Sequence, residues 1–258
     1  MDIVTILSMI FAFGALLIAF VLEGGTLSAL LQPTAALIVF GGLFGAVGIS
    51  FPAARLAKIP KLILLVFRNK KQNREEVMES LLALANIARR DGLLALEQET
   101  RTNDYDEFIK GGLQLVMDGA DTDGLKHTLE TRIENMEERH SKGIAIFEAA
   151  GGYAPTMGVI GTVMGLVQVL GDLSDPGELG HKIAVAFIAT LYGVGSANIF
   201  FLPIATKLKE LSSDEVLTKY MMFEGVMMIQ NGSNPLFMKE QLKGYLEHAP
   251  KEGEEREQ

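Results

Sequence analysis

The chain has 258 residues, 48% of them hydrophobic, and its mean hydropathy is +0.25. The apolar residues form long runs, so the composition indicates a membrane helix bundle with one modest cytosolic domain. The formal net charge of −9 argues against a nucleic-acid partner. Because the sequence contains no cysteine, disulfides and thiolate metal sites are excluded.

Residues 1–52 are predicted to form a hairpin of two transmembrane spans. Residues 3–22 are an uninterrupted apolar run of about the length that crosses a bilayer. No basic segment precedes this run and no small-residue cleavage site follows it, so we expect a retained helix rather than a signal peptide. Pro33 suits the first turn of the second span, which is rich in glycine and ends before Pro52.

Residues 53–151 are predicted to form a helical cytoplasmic domain. Residues 55–74 contain seven Lys or Arg and no acid. The links between spans, 23–32 and 172–182, contain only one Lys or Arg in total, Lys182. The positive-inside rule therefore places both termini and this domain in the cytoplasm. Residues 60–68 are a short apolar strip with basic flanks, and we expect this strip to lie along the inner membrane surface.

Amphipathic helices are predicted to follow this strip. The first begins at Glu75 and ends at Gly92, a residue that suits the end of a helix. Further helices are predicted at LLALEQE, 107–118 and 123–148, the last running on into the third span. Four charged residues in this region fit either a solvated helix face or a reversible protein contact: Arg89, Arg90, Glu97 and Glu99.

Residues 152–206 are predicted to form a second transmembrane hairpin, with the third span at 152–171 and the fourth at 183–206. Small residues recur in both at intervals of four: Gly161 and Gly165, then Ala189, Gly193 and Ala197. In lipid, close backbone approach across small residues favours helix association, so these spans are predicted to pack together. Residues 207–258 are predicted to be a cytoplasmic helix to about residue 245 and a tail that is disordered from 249.

None of the four spans contains an Asp, Glu, Lys or Arg. An ion carrier normally needs an ionisable group at depth, so another subunit must supply it if this chain conducts. The mid-span residues Thr162 and Thr190 could line the route, although threonine hydroxyls also bond back to their own helix. Pro155 and Pro203 are either flexible points in a transmission path or prolines of the kind that membrane helices tolerate.

The sequence offers no pattern of catalytic or metal-binding residues. The four histidines lie on charged helices, in a loop and in the tail: His127, His140, His181 and His248. A glycine-rich phosphate loop and a paired His-Glu motif are both missing. We therefore predict neither enzyme activity nor a cofactor.

Several motifs together resemble the MotA/PomA family, the pore-forming subunits of the bacterial flagellar stator. They are ARRDGLLALE (88–97), MEERH (136–140), YAPTMGVIGTVMGL (153–166), and ATLYG followed by NIFFLPIATKL. The resemblance covers nearly the whole chain. It implies a homopentamer in the inner membrane around two copies of a MotB-like partner. That partner's single helix carries the ion-binding aspartate, and its periplasmic domain grips peptidoglycan.

The family resemblance also implies how torque is made. Ion flow turns the pentamer, and the cytosolic face of the pentamer drives the rotor protein FliG. By position, Arg89 and Glu97 match the charged pair that faces the rotor, with Arg90 and Glu99 as helpers. Two further positions match the prolines required for torque: Pro155 and Pro203.

The motifs contain features of both proton-coupled and sodium-coupled members of the family. Thr162 and Thr190 match hydroxyl positions near the partner's aspartate, so they are assigned to the ion pathway together with their neighbours Ala189 and Tyr192. Sodium-type members tend to have threonine where this chain has Ala189, and losing an oxygen ligand weakens a sodium site more than a proton path. Tyr192 and residues 196–198 resemble the sodium type. We expect protons, with sodium as the alternative.

Two other functions fit part of the pattern. An ExbB/TolQ-type energiser of outer-membrane processes is a related class, but its members usually have three spans and lack the ARRDGLLALE stretch. A non-conducting membrane scaffold would explain the missing ionisable residues, but not the threonines or the glycine-rich faces.

Overall fold

The computed structural model describes residues 3–68, 73–171 and 176–246. Within these ranges the chain is helical between short connections and contains no β-strand, which confirms the all-α prediction. The helices are α1 Ile3–Leu22, α2 Pro33–Ala36, α3 Gly42–Ser50, α4 Ala53–Leu56, α5 Ile59–Val66, α6 Arg74–Asp91, α7 Ala95–Thr102, α8 Glu107–Met117, α9 Thr122–Gly171, α10 Pro176–Ser196, α11 Leu202–Gln230 and α12 Pro235–Leu242. π-Helical turns at Leu37–Gly41 and Ala197–Phe201 join α2 to α3 and α10 to α11.

Four helical stretches are long and apolar enough to cross a membrane, as predicted. The first two are Ile3–Leu22 and Leu27–Ser50, and the other two lie within Thr122–Gly171 and Lys182–Gln230. No side chain of α1 is buried within the chain. Most of the surface of α1 is therefore open, apart from a half-buried face that includes Thr5 and Met9, and such an apolar surface suits a lipid environment or contact with another subunit.

Local sequence signals explain where several helices begin and end. Pro33 opens α2, and α3 stops at Ser50, two residues before Pro52. The side chain of Asn73 caps α6 by accepting a hydrogen bond from the backbone of Glu75. Gly92 ends α6 with φ of +85°, a conformation that glycine adopts without strain. The predicted end of this helix is confirmed.

The chain divides into two compact units. The first, called the membrane unit, contains residues 1–69 and 139–210, and the second, called the polar unit, contains 70–138 and 211–258. Residues 53–68 and 139–151, which were predicted to belong to the cytoplasmic domain, therefore group with the apolar helices. The reason is packing: α5 and the segment of α9 from Ile144 bury their apolar faces against the start of α11.

The polar unit has its own apolar core. The predicted inner face of α6 is buried there, including Leu81 and Leu84, and it packs against α8, α9 and α11. Two partly buried ion pairs brace this core: Arg74–Asp214 at 3.0 Å and Lys219–Asp106 at 2.8 Å. The unit thus has the size and the polar surface of a small helical domain.

The C-terminal helix differs from the prediction. Instead of continuing to residue 245, α11 ends at Gln230, and Gly232 adopts φ of +64°. Asn234 then caps α12, which begins at Pro235. The segment Asn-Gly-Ser-Asn-Pro carries standard turn and cap residues, so the break has a local cause. The predicted disordered tail, 249–258, lies outside the described residues.

Candidate functional site

The third and fourth spans approach each other so closely that their backbones touch. A Cβ atom built on Gly193 would lie 2.9 Å from the Cα of Gly158 and closer still to the carbonyl oxygen of Ala154. A Cβ atom on Gly158 would lie 2.9 Å from the carbonyl oxygen of Ala189. Because these neighbours are backbone atoms, no side-chain rotation could relieve the overlap. Only glycine fits at the two positions.

The close contact continues along both helices as a seam of small residues. A Cβ atom on Gly161 would lie 2.6 Å from the methyl carbon of Ala189, and one on Gly165 would lie 2.6 Å from that of Ala186. The predicted packing of the third span on the fourth is confirmed. Two members of the seam were missed by the sequence analysis: Gly158 and Ala186.

Two threonine hydroxyls meet at this seam. The Oγ1 atom of Thr162 is hydrogen-bonded to the Oγ1 atom of Thr190 and lies 2.9 Å from the carbonyl oxygen of Ala186. It also lies 3.1 Å from the carbonyl oxygen of Gly158 in its own helix. A hydroxyl has one proton, so Thr162 can donate to only one of these acceptors at a time. The two hydroxyl and two carbonyl oxygens form what we call the oxygen cluster.

The oxygen cluster gives the hairpin a polar point within an otherwise apolar span. Both threonine side chains are only partly buried within the chain, so the cluster can be reached from outside it. Both sequence-based interpretations apply to Thr162, which bonds back to its own helix and also across to the next. Chemically, such oxygens can coordinate a cation or hold a water molecule beside a titrating carboxylate.

The two neighbouring pathway candidates have other contacts. Ala189 is buried, and its methyl group packs on Gly161 at the seam. The hydroxyl of Tyr192 donates a hydrogen bond to the carbonyl oxygen of Leu30 and accepts one from the backbone N–H of Gln32 at 3.1 Å. Its contacts therefore hold the link between the first two spans against the fourth. A pathway role for either residue stays a prediction.

The two predicted torque prolines lie at different levels of the hairpin: Ala154, the residue before Pro155, contacts Gly193, which is ten residues, or about 15 Å of helix, before Pro203. Pro155 leaves the carbonyl of Gly151, four residues earlier in α9, without its helical donor. A Cβ atom on Gly151 would lie 2.7 Å from the Cγ of Leu202, the residue before Pro203. Pro203 also lies two residues after the π-helical turn at Ala197–Phe201, a kind of irregularity that often marks functional sites.

The polar unit presents Arg89 and Arg90 at the end of α6, separated by one turn from Glu97 in α7. Arg90 pairs with Asp91 at 2.7 Å, and this hydrogen bond lowers the pKa of Asp91. Glu97 pairs with Arg101 at 2.8 Å. The side chain of Arg89 is exposed and has no ion pair or hydrogen bond among the described residues. Of the two arginines, Arg89 thus has the guanidinium available for an external partner.

Glu99 is held by neighbours within the polar unit. Its carboxylate accepts hydrogen bonds from the Tyr105 hydroxyl at 2.8 Å and from the side-chain amide of Asn103 at 2.7 Å. Burial, followed by these contacts with Glu99, raises the pKa of Tyr105 to about 12. The structure thus gives Glu99 a role in holding the end of α7, and its part in a rotor contact stays a prediction.

A pocket and an exposed leucine lie beside Arg89. The pocket has a volume of about 140 Å³, and its lining includes Arg89, Leu93 and Ile229. Leu94, between α6 and α7, is 75% exposed. A single exposed apolar side chain is common on protein surfaces, so Leu94 supports a protein contact only together with the charges around it. The charge pattern of this stretch did not single out Leu94.

Metal binding finds no support in the part of the chain that the structure describes. No group of three or more His, Asp or Glu side chains is placed there to hold an ion. His127 is solvent-exposed, as a surface histidine would be.

Comparison with known proteins assigns the chain to a family. Residues 101–221 match the model of the MotA/TolQ/ExbB proton channel family, and residues 6–92 match that of the motility protein A N-terminal region. Motility protein A of Bacillus subtilis is 40% identical over 247 residues, covering 95% of this chain and 91% of the relative. This chain belongs to the motility protein A family. The N-terminal match is to the motility protein A model, and this match favours a stator subunit over an ExbB/TolQ-type energiser.

Solved stator structures have the same fold. The C. jejuni MotAB structure matches with a TM-score of 0.90 and 31% identity, covering 97% of this chain and 98% of that one. The flagellar MotAB stator complex from Bacillus subtilis matches with a TM-score of 0.87 and 40% identity, covering 94% and 95%. The chain is therefore a multi-pass membrane protein of the flagellar stator channel type, and the sequence-based assignment of family and fold is confirmed.

Proposed function

We propose that this chain and a MotB-like partner form the ion channel of a flagellar stator, and that ion flow through it drives FliG. The observation that carries the proposal is the oxygen cluster of Thr162 and Thr190 in a hairpin whose spans contain no ionisable residue. A conducting path needs a group that takes up and releases the ion. The partner's aspartate supplies that group, and the cluster supplies polar neighbours for it.

The depth of the two threonines supports this arrangement. Thr162 is ten residues beyond Gly152, and that is about 15 Å along a helix. Thr190 is seven residues beyond Ile183, or about 10 Å from the opposite side. In an apolar core about 30 Å thick, both hydroxyls fall in the middle third. A charge is most costly there, so polar neighbours have their greatest effect.

The coupling ion is proposed to be the proton. A bound sodium ion needs several oxygen ligands, whereas a proton needs only one acceptor and a route for exchange. The methyl group of Ala189 packs directly on Gly161, so this side of the residue has no space for a further hydroxyl ligand. Sodium coupling would require the partner to contribute most of the ligands.

The proposed arrangement has both termini in the cytoplasm and five copies of this chain around the partner. Basic residues follow the second span, whereas the links between spans carry mostly acids, as the positive-inside rule requires. The open apolar surface of α1 leaves room for lipid or neighbouring copies. The rotor contact is proposed to be made by a patch of the polar unit, called the rotor patch, that consists of Arg89, Leu94 and Glu97.

Proton flux in membranes tests the channel proposal. The chain is expressed alone, with a MotB-like partner, and with a partner whose membrane aspartate is changed to asparagine. Uptake of protons should appear only with the unchanged partner, because this chain has no ionisable group in its spans. Co-purification of the partner in both pairings controls for assembly.

Two outcomes would overturn the proposal. Proton uptake by the chain alone would show that the conducting group lies in this chain. Assembly with the partner but no flux of protons or sodium would favour the non-conducting scaffold. If sodium uptake replaces proton uptake, the channel proposal stands and the choice of ion is wrong.

A further inference from the structure

We propose that residues 53–68, which include α4 and α5, form a binding surface for the headgroups of anionic phospholipids at the inner end of the membrane unit. This segment carries four basic residues and no acid: Arg55, Lys58, Lys61 and Arg68. None of the four side chains has an ion pair or a hydrogen bond within the described residues. The segment thus has a set of uncompensated positive charges.

The segment lies against the end of the second span. Leu56 and Ile59 pack against an apolar cluster that includes Val47 of α3, whose last residue, Ser50, is nine residues before Ile59. A span ends where the apolar core meets the headgroups. This contact therefore places α4 and the beginning of α5 at headgroup depth.

The two faces of α5 have different environments. Ile59, Leu62, Ile63 and Val66 recur at helical spacing and face inward, and Val66 is only 1% exposed. They pack on the segments of α9 and α11 that continue the third and fourth spans, including Phe147 and Leu208. The packing of its inner face fixes the orientation of α5, and so determines which of its side chains point outward.

The outer face of α5 combines apolar and basic side chains. Leu64 is 58% exposed and Leu65 is 44% exposed, and Lys61 and Arg68 lie one turn to either side of them. An acyl chain can pack on the leucines while the long basic side chains extend to a phosphate. An acidic protein segment could pair with the basic side chains. It would not explain why exposed leucines lie on the same face at headgroup depth. A phospholipid with net negative charge satisfies both features.

A tryptophan reporter tests the preference directly, because the chain has no native tryptophan. Leu65→Trp puts a single indole on the outer face, and the full chain is reconstituted into vesicles of phosphatidylglycerol and phosphatidylcholine. Two preparations have the same composition, but the bromine quencher is on one lipid in the first and on the other lipid in the second. Brominated phosphatidylglycerol should quench more strongly than its share of the bilayer predicts.

Basic-residue variants identify the source of the preference. Combining Lys58→Gln with Lys61→Gln should reduce the preference for phosphatidylglycerol about 25-fold, because each basic residue near an anionic surface contributes roughly a factor of five. The matched control neutralises two exposed lysines of the polar unit, Lys126→Gln and Lys239→Gln, and should leave quenching unchanged. An excess of inorganic phosphate should not abolish the preference, since free phosphate lacks the acyl chain.

Three results would overturn the proposal. Equal quenching by the two brominated lipids would show no preference for the anionic lipid, and an acidic protein segment would then be the better candidate for this face. An unchanged preference in the double lysine variant would place the anionic lipid elsewhere, and displacement by inorganic phosphate would indicate a phosphate site instead. Leu64→Trp repeats the measurement from a second position and guards against distortion by a single reporter.

Discussion

The hydroxyl of Thr162 is hydrogen-bonded to the hydroxyl of Thr190 across the line on which the third and fourth spans touch. The contact depends on the seam, because Gly158 and Gly193 bring the two backbones together on the same helix faces. If the helices stood at an ordinary separation, two short side chains could not reach each other. The packing of the hairpin therefore sets the geometry of the oxygen cluster.

Gly193→Ala should separate the two spans. Its new methyl group would overlap backbone atoms of Gly158 and Ala154, and overpacking of this kind costs about 1–3 kcal/mol. We expect a lower unfolding temperature in detergent and a lower level in the membrane. Gly195→Ala is the matched control, since no atom of the chain lies within 4 Å of a Cβ at that position. Equal behaviour of the two variants would mean that the seam is not tightly packed.

The seam also shows how far the sequence could predict the site. Small residues at a spacing of four identified Gly161, Gly165 and Ala189, which do lie in the contact. The actual spacing is three and then four on both helices, close to the 3.6 residues of a helical turn. A search restricted to intervals of four therefore missed Gly158 and Ala186.

Tyr192→Phe should loosen the link between the first two spans. The change keeps the ring, which stacks on Phe40 at 6.0 Å, but leaves Leu30 and Gln32 without the hydroxyl. An unsatisfied backbone group costs about 1–3 kcal/mol. A loss of about 1.4 kcal/mol in the free energy of opening the link would make the open form about tenfold more populated. A unique cysteine introduced at Ala35, which is 1% exposed just after this link, should therefore react with maleimide about tenfold faster than in the parent.

Tyr153→Phe is the control for this measurement. Its hydroxyl shares a hydrogen bond with Ser50, so its removal should leave maleimide labelling at Ala35→Cys unchanged. The same labelling rate in Tyr192→Phe as in the parent would show that the hydroxyl does not hold the link. The contact joins residues that are 160 positions apart. No local pattern could have predicted it.

Reversing charge in the rotor patch should stop motility without harming assembly. Arg89 is exposed and unpaired among the described residues, and Glu97 has only an exposed partner, Arg101. Such exposed pairs contribute at most about 1 kcal/mol to stability. We expect Arg89→Glu and Glu97→Lys to reach normal membrane levels but fail in a swimming assay, with partial rescue by a reversed charge on FliG.

The exposed lysine at position 126 supplies the control, because Lys126→Glu reverses a charge of the polar unit away from α6 and α7. It should swim normally. Leu94→Ala should also reduce swimming if the patch has an apolar centre. If no change on FliG rescues either charge variant, these charges are only a solvated helix face.

The polar unit should lose stability between about pH 10 and pH 12. The pKa of Tyr105 is raised to about 12 in the folded chain, while an unfolded tyrosine titrates near 10. The folded state therefore favours the neutral phenol of Tyr105. The contribution of this phenol to the free energy of unfolding is complete below about pH 10 and is lost as the pH rises to about 12. Amide hydrogen exchange in α7 of the full chain should accelerate over this window by more than base catalysis of exchange alone produces.

Tyr105→Phe removes this titration. The pKa of Tyr245 is also raised to about 12, by burial and by Glu224, so part of the alkaline loss should remain in the variant. The acceleration of exchange in α7 should nevertheless be smaller than in the parent. An identical pH profile would contradict the assignment of the loss to Tyr105.

The fold was more predictable than the site, for a physical reason. Hydropathy and helix-ending residues such as Pro33 and Gly92 act locally, so they can be read from a short stretch. The meeting of Thr162 with Thr190, and the exposure of Leu94, depend on how the helices pack. The family resemblance supplied Thr162, Thr190 and Arg89 by motif, but their contacts became visible only in three dimensions, and Leu94 was not predicted.

Proton uptake by Thr190 variants tests the central claim most directly. In vesicles that contain this chain and a MotB-like partner, Thr190→Val keeps the shape of the side chain and removes its hydroxyl. We predict normal assembly with proton uptake reduced about ten- to hundredfold, which corresponds to the 1–3 kcal/mol cost of an unsatisfied polar group. Thr190→Ser keeps the hydroxyl and should retain most of the flux, and Thr162→Val should lose less than Thr190→Val. Full proton uptake by assembled Thr190→Val channels would contradict the account, because the ion would then pass without this hydroxyl.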